Sequence, residues 1–189
     1  MQFKTKLMDE GQMDRSLMRI SHEILEREQD AKDFLLIGIR RRGVPLAEQI
    51  AENLRKIGSI PVETASIDIT LYRDDRTERA DAPEILSSLV PESPIEGKDV
   101  ILVDDVIFTG RTIRAAMDCL MQMGRPKCIR LATLIDRGHR ELPIRPDFVG
   151  KNVPSSRKES IEVHVPEVDG TKEVILVTLG QAEGTDRSR

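Results

Sequence analysis

One stretch limits what this chain can fold into more than any other: Val100-Ile101-Leu102-Val103-Asp104-Asp105-Val106-Ile107-Phe108-Thr109-Gly110-Arg111-Thr112. Its first four residues are apolar and mostly β-branched, which predicts a fully buried strand. Two carboxylates arrive where that strand should end. From Gly110 onward, Ile113, Ala116, Met117, Leu120 and Met121 recur at the spacing of a helix packing one face on a sheet. Open α/β sheets bind ligands at the carboxyl ends of their strands, beside helix N-termini. The backbone N–H groups of residues 106–112 are therefore expected to line a cup for a phosphate, with the helix dipole behind it. Asp104 and Asp105 on its rim would repel a bare phosphate. They make sense with a ligand that also carries hydroxyl groups or a divalent cation.

Any α/β protein can end a buried strand in an acidic turn. Thr109, Gly110 and Thr112 argue for more, because hydroxyls and a residue without Cβ are what close approach by a phosphate requires. A nucleotide-hydrolase loop would need Gly-x4-Gly-Lys-Ser/Thr. The nearest candidate, Gly38 to Gly43, runs on into Val44 and Pro45 and fails. The stretch resembles the thirteen-residue phosphoribosyl-pyrophosphate (PRPP) signature of the type I phosphoribosyltransferases. In that family the acidic pair contacts the ribose hydroxyls and the loop binds the 5′-phosphate. The resemblance implies a Mg²⁺-bound sugar diphosphate as donor and a nitrogenous base as acceptor.

Strand and helix patterns alternate along the rest of the chain, which predicts an α/β fold. A strand at 3–8 and a helix from an N-cap at Asp14 to about Gln29 come first, then a buried strand Phe34–Ile39. Arg40-Arg41-Arg42-Gly43 follows, before a helix of about 45–57. Three arginines at a strand's carboxyl end are costly unless an anion sits there, and guanidinium forks suit a pyrophosphate. A strand at 62–69 leads into a polar tract from Thr70 to about Pro94, which reads as a closing flap carrying Tyr72 and Arg73. After the central helix come a strand at 127–134, a turn-rich loop at 136–146, a short strand at 147–150 and a hairpin of 160–165 with 173–179. A single domain over 1–180 with a polar tail over 181–189 is expected.

A formal net charge of −4 argues against an indiscriminate polyanion binder but leaves room for a local basic face. Cys119 and Cys128 lack metal-ligand partners at useful spacing and read as buried, reduced thiols, which suits the cytoplasm. With no charged-then-apolar leader and no apolar run near 18 residues, no membrane segment is expected.

The blocks 38–47, 68–75, 136–145 and 150–155 extend the resemblance over about residues 10–178. Together they look like the PyrR family, bacterial pyrimidine-operon attenuation regulators that are also uracil phosphoribosyltransferases. This implies the type I fold, a mostly parallel sheet flanked by helices with a small hood and a flexible flap. It implies the reaction of uracil with PRPP to UMP and pyrophosphate, with Mg²⁺ brought by PRPP near Asp104 and Asp105 rather than held by protein ligands. Asp104, Asp105 and Arg42 would be catalytic. Arg41, Arg42, Gly43, Arg73 and the run Asp104, Asp105, Val106, Ile107, Phe108, Thr109, Gly110, Arg111 and Thr112 would bind PRPP. Ile135, Asp136, Arg137 and Val163 would meet the uracil or UMP base.

The resemblance further implies binding of the leader of pyrimidine (pyr) mRNA when UMP is present, through Arg19, His22, Arg27, Arg140 and Arg145, and a homodimer or larger homo-oligomer. Four positions depart from the family pattern. Arg40 is usually lysine or histidine, Arg41 usually threonine, Phe108 commonly tyrosine, and Met18 a hydroxyl residue in some relatives. Purine-salvage relatives carry aspartate where Phe108 stands, which counts against a purine acceptor. The alternative reading is a phosphoribosyltransferase or nucleotide sensor that binds no RNA.

Overall fold

Strand β4 (Asp99–Ile107) is the middle of a parallel five-stranded sheet, and the elements that position the site are arranged around it. The structure is a computed structural model that describes residues 2–27, 34–59, 62–69 and 94–179. Before β4 come β1 (Gln2–Met8), α1 (Glu10–Arg27), β2 (Phe34–Ile39), α2 (Gly43–Gly58) and β3 (Glu63–Ile67). After it come α3 (Arg111–Met123), β5 (Cys128–Asp136), β6 (Phe148–Asn152), β7 (Glu159–His164), α4 (Pro166–Asp169) and β8 (Glu173–Leu179). The parallel sheet has the order β3-β2-β4-β5-β6, and β1, β8 and β7 form an antiparallel three-stranded sheet, the hood.

Burial on both faces explains the continuous apolar runs of β2 and β4. Alternate residues point to opposite sides. Leu35, Ile37, Val100 and Leu102 pack with Ile113, Ala116 and Leu120 of α3. Leu36, Ile101 and Val103 pack on the other side with Leu17 and Ile20 of α1, Ile50 and Leu54 of α2, and Val163 and Val174 of the hood. Each such side chain contributes roughly 1.5–3 kcal/mol by leaving water. The cores on the two faces therefore fix the sheet's edges and, with them, the strand ends that carry the site.

Three elements differ from the sequence expectation. Helix α1 starts at Glu10, not after Asp14. Asp9 and Gln12 form a reciprocal cap, Gln12 N–H to Asp9 Oδ1 at 2.8 Å and Asp9 N–H to Gln12 Oε1 at 2.9 Å. Asp14 lies inside the helix and accepts hydrogen bonds from Gln49 and Lys172. Strand β4 does not stop at the aspartates, because β5 goes on pairing with it from Asp104↔Thr133 to Ile107↔Asp136. Cys128 is half-buried, with its Sγ 2.7 Å from Asp99 Oδ1, and neither cysteine is in a disulfide. The polar tract from Thr70 to 93 and the tail at 181–189 lie outside the described residues. Among the described residues no helix is long and apolar enough to cross a membrane.

Candidate active site

At the carboxyl end of β4, Asp104 is 6% exposed and Asp105 is half-buried. Both carboxylates fold back on the chain: Asp105 N–H donates to Asp104 Oδ1 at 3.0 Å and Val106 N–H to Asp105 Oδ1 at 2.8 Å. Burial pushes the Asp105 carboxyl above the usual carboxylate range, against the Val106 amide and the charge of Arg42. Across the β4–β5 ladder from Asp104, Thr133 Oγ1 is buried without a partner among the described residues.

The arginine loop lies directly on β4. A Cβ on Gly43 would stand 2.4 Å from the Val103 carbonyl oxygen and 3.5 Å from Asp104 Cα, so only glycine fits there. Arg40 and Arg41 are exposed, and Arg40 stands 3.9 Å from Asp68. Arg42 is turned to the hood, where it forks Asp169 of α4, Nε to Oδ2 at 2.9 Å and Nη2 to Oδ1 at 2.7 Å. That pairing lowers the Asp169 carboxyl to about 2, helped by the Val165 amide. Arg73 lies outside the described residues.

Beside the arginine loop, the loop after Ile107 enters α3 through Gly110, whose φ of 93° is left-handed; the glycine itself offers no capping side chain, and Arg111 N–H makes only a long contact of 3.4 Å to Thr109 Oγ1. The first-turn amides of α3 have no partner within the helix. Gly110 packs under the 136–146 loop, its Cβ position 3.4 Å from Leu142 Cβ and 3.6 Å from Ile144 Cβ. Glu141 N–H and Leu142 N–H donate to the Thr109 carbonyl at 3.0 and 3.1 Å, and Arg137 N–H donates to the Ile107 carbonyl at 3.2 Å. Arg111 Nε reaches Glu141 at 2.8 Å. Phe108 lies beneath the Arg137 guanidinium, 4.1 Å from its ring centre, with His139 edge-on at 6.0 Å.

The expected base-site residues divide. Ile135 is buried in β5, and Asp136 gives Oδ1 to Gly138 N–H at 2.9 Å and Oδ2 to Arg140 at 2.6 Å. Arg137 is 7% exposed and bonds Ser155 Oγ, Ser156 O and Glu159 O. Burial lowers its pKa from the ordinary guanidinium value, opposed by the charge of Glu159. Val163 is 1% exposed, so its side chain belongs to the core beneath the hood, and only its main chain is left to meet a base.

On the expected RNA face, His22 and Arg145 are exposed. Arg19 pairs with Glu23 and also donates to the carbonyls of Val149 and Gly150 at the edge strand β6. Arg27 pairs with Asp147 at 3.2 Å and covers the Phe148 ring. Arg140, expected on the same face, turns its guanidinium inward onto the carbonyls of Ile144 and Gly138 in its own loop and of Phe108.

A phosphoribosyl transferase domain model matches residues 5–167. The Bifunctional protein PyrR of Pelotomaculum thermopropionicum is 53% identical over 178 residues, covering 94% of this chain and 98% of that protein. This chain belongs to the PyrR family. Another PyrR relative, from Clostridium perfringens, is 50% identical over 174 residues, covering 92% of this chain and 97% of that protein. The hypoxanthine phosphoribosyltransferase of Trypanosoma cruzi superposes with a TM-score of 0.71 at 16% identity, over 92% of this chain and 96% of that one. A Staphylococcus aureus hypoxanthine phosphoribosyltransferase gives 0.65 at 16% over 90% of each chain. These likenesses show the type I phosphoribosyltransferase fold. Several residues that shape the site in this PyrR-family chain carried no sequence signal of their own. Asp169 is 127 positions from the arginine it holds, and Ser155 is 18 from Arg137.

Proposed function

We propose that this chain transfers the phosphoribosyl group of PRPP to uracil, giving UMP and pyrophosphate, and that its UMP-bound form binds the leader of pyr mRNA. One observation carries the catalytic half. The Asp104–Asp105 pair, an arginine loop pressed on β4 at Gly43, and a helix N-terminus entered through Gly110 meet at one strand end in a chain of the PyrR family. In this reading the amides of 106–112 take the 5′-phosphate. Asp104 and Asp105 take the ribose hydroxyls and face the positive charge that grows on the sugar as the bond to pyrophosphate breaks. Arg41, Arg42 and the Gly43 amide stabilise the departing pyrophosphate. Uracil N1 bonds to the sugar carbon, its proton passes to solvent, and pyrophosphate leaves with the electron pair. Mg²⁺ would arrive with the donor beside Asp104 and Asp105 and would supply positive charge against the leaving pyrophosphate.

For RNA, the exposed His22 and Arg145 with the half-exposed Arg27 supply the basic face. A transferase without RNA binding is the second reading. It is favoured by Arg19 and Arg140, whose guanidinium groups are occupied by protein carbonyls. Two assays on the same preparation test both halves: uracil-dependent release of pyrophosphate from PRPP, and a gel shift of leader RNA with and without UMP. No pyrophosphate release would end the transferase reading. An RNA shift indifferent to UMP would end the regulatory one.

A further inference from the structure

The Arg140 guanidinium bridges its own 136–146 loop to the loop that forms the donor-phosphate cup. Nη1 donates to the carbonyls of Phe108 at 2.8 Å, Gly138 at 3.2 Å and Ile107 at 3.4 Å. Nε donates to the Ile144 carbonyl at 2.9 Å, and Nη2 is anchored by Asp136 Oδ2 at 2.6 Å. The main chain of the same segment adds Arg137 N–H to the Ile107 carbonyl, and Glu141 and Leu142 N–H to the Thr109 carbonyl. Three successive carbonyls, at Ile107, Phe108 and Thr109, are thus drawn to the 137–142 side.

In a planar trans peptide the N–H points opposite to the preceding C=O. Fixing those three oxygens therefore turns the N–H groups of Phe108, Thr109 and Gly110 to the other side together. Successive N–H groups facing one way form an anion-binding concavity. Gly110, at φ 93°, supplies the left-handed residue that such a concavity needs.

We infer that Arg140 is a positioning residue for the donor's 5′-phosphate, acting through the Ile107 and Phe108 carbonyls without touching the phosphate. The inference rests on the donor-site reading above. A planar fork is required, because donors on separate nitrogens reach the Phe108 carbonyl, the Ile144 carbonyl and Asp136 at once. A lysine would keep the positive charge beneath the loop and lose the clamp, so Arg140→Lys separates geometry from charge.

The test is calorimetric titration of the full chain with two probes. Ribose 5-phosphate reads the 106–112 cup, and inorganic pyrophosphate reads the arginine loop. In Arg140→Lys the Kd for ribose 5-phosphate should rise about tenfold, equivalent to ~1.4 kcal/mol, while that for pyrophosphate stays within about twofold of wild type. Asp136→Asn releases only the Nη2 anchor and should give the same selective loss at smaller size. It keeps the test alive if Arg140→Lys is poorly folded. An unchanged ribose 5-phosphate affinity in both variants overturns the assignment. So does equal loss of both probes, which would be general damage, or loss of leader-RNA binding with ribose 5-phosphate affinity intact, which would return Arg140 to the RNA face. A wild-type chain that turns over no PRPP would instead overturn the donor-site reading itself, and the assignment with it.

Discussion

The arginine loop at 40–43 and the loop at 106–112 leave neighbouring strands of one sheet, yet they keep their shapes by different means. The first presents side chains. Two of its arginines are exposed, and the third is tied across to the hood by a single fork to Asp169. The second presents backbone, and its carbonyls are clamped from behind by the 137–142 segment. A leaving group that must depart suits mobile charges on long side chains. A phosphate that stays on the ribose throughout suits a cup of fixed dipoles, which need not reorganise during the reaction. The comparison teaches that charge count alone says little about an anion site, since the loop with more cations is the less braced of the two.

The largest effect is expected between the loops. Asp104→Asn with Asp105→Asn should abolish UMP synthesis while the thermal midpoint stays near wild type, since asparagine keeps an acceptor for the Asp105 and Val106 amides. A double variant retaining more than about a tenth of the rate, a loss under ~1.4 kcal/mol, would remove both residues from the reaction.

Next comes Gly43→Ala. The new methyl meets the Val103 carbonyl at 2.4 Å, so the arginine loop must move off β4, at a cost of about 1–3 kcal/mol. Pyrophosphate affinity should fall about tenfold, by ~1.4 kcal/mol, with ribose 5-phosphate affinity largely kept, the mirror image of Arg140→Lys. Parallel loss of both probes would mean the two loops are one mechanical unit.

Asp169→Asn comes third. The carboxyl is held at about 2, below its ordinary value of 3.8. Its ion pair therefore adds stability that is complete above the ordinary value and fades as pH falls toward 2. Because Arg42 is partly exposed, the effect is on the order of 1–2 kcal/mol at neutral pH. Urea unfolding of wild type and variant should converge in that acid window. A gap that persists below pH 2 would assign the loss to packing. The smallest change belongs to Arg145, which lies outside both loops: Arg145→Ala should reduce the salt slope of leader-RNA binding by about one unit. An unchanged slope would exclude a phosphate contact there.

Much of this arrangement could be read from the chain. The run Phe34–Ile39, the Val100–Val103 run and the α3 spacing set the sheet and its ligand-binding end, because burial on both faces imposes a pattern that composition reveals. The Asp9–Gln12 cap is equally legible, an acid at the N-cap with glutamine three residues on, and it competes with Asp14 for the helix start. The direction of Arg140 was not legible. A turn-rich segment has no period from which an inward side chain can be told from an outward one. The burial of the Val163 side chain was not legible for a related reason, since a short alternating strand does not say which of its two faces lies under the core. The Arg42–Asp169 pair joins parts of the chain that no local pattern relates.

The hood has a bearing on the order in which the molecule is completed. Its first strand is β1 and its last is β8, paired so that Gln2 faces Leu179, while the parallel sheet draws only on β2 to β6. A ribosome delivers the chain from the N-terminal end at about 5–20 residues per second. Through most of synthesis β1 waits without its β-ladder, a free edge exposed to wrong partners. The five-stranded layer can close during that interval, but Asp169 emerges 127 residues after Arg42, so Arg42 gains its hood partner only once β7 has been made. A nascent chain thus acquires its braced phosphate cup before its tethered arginine, and competence for transfer waits on the second.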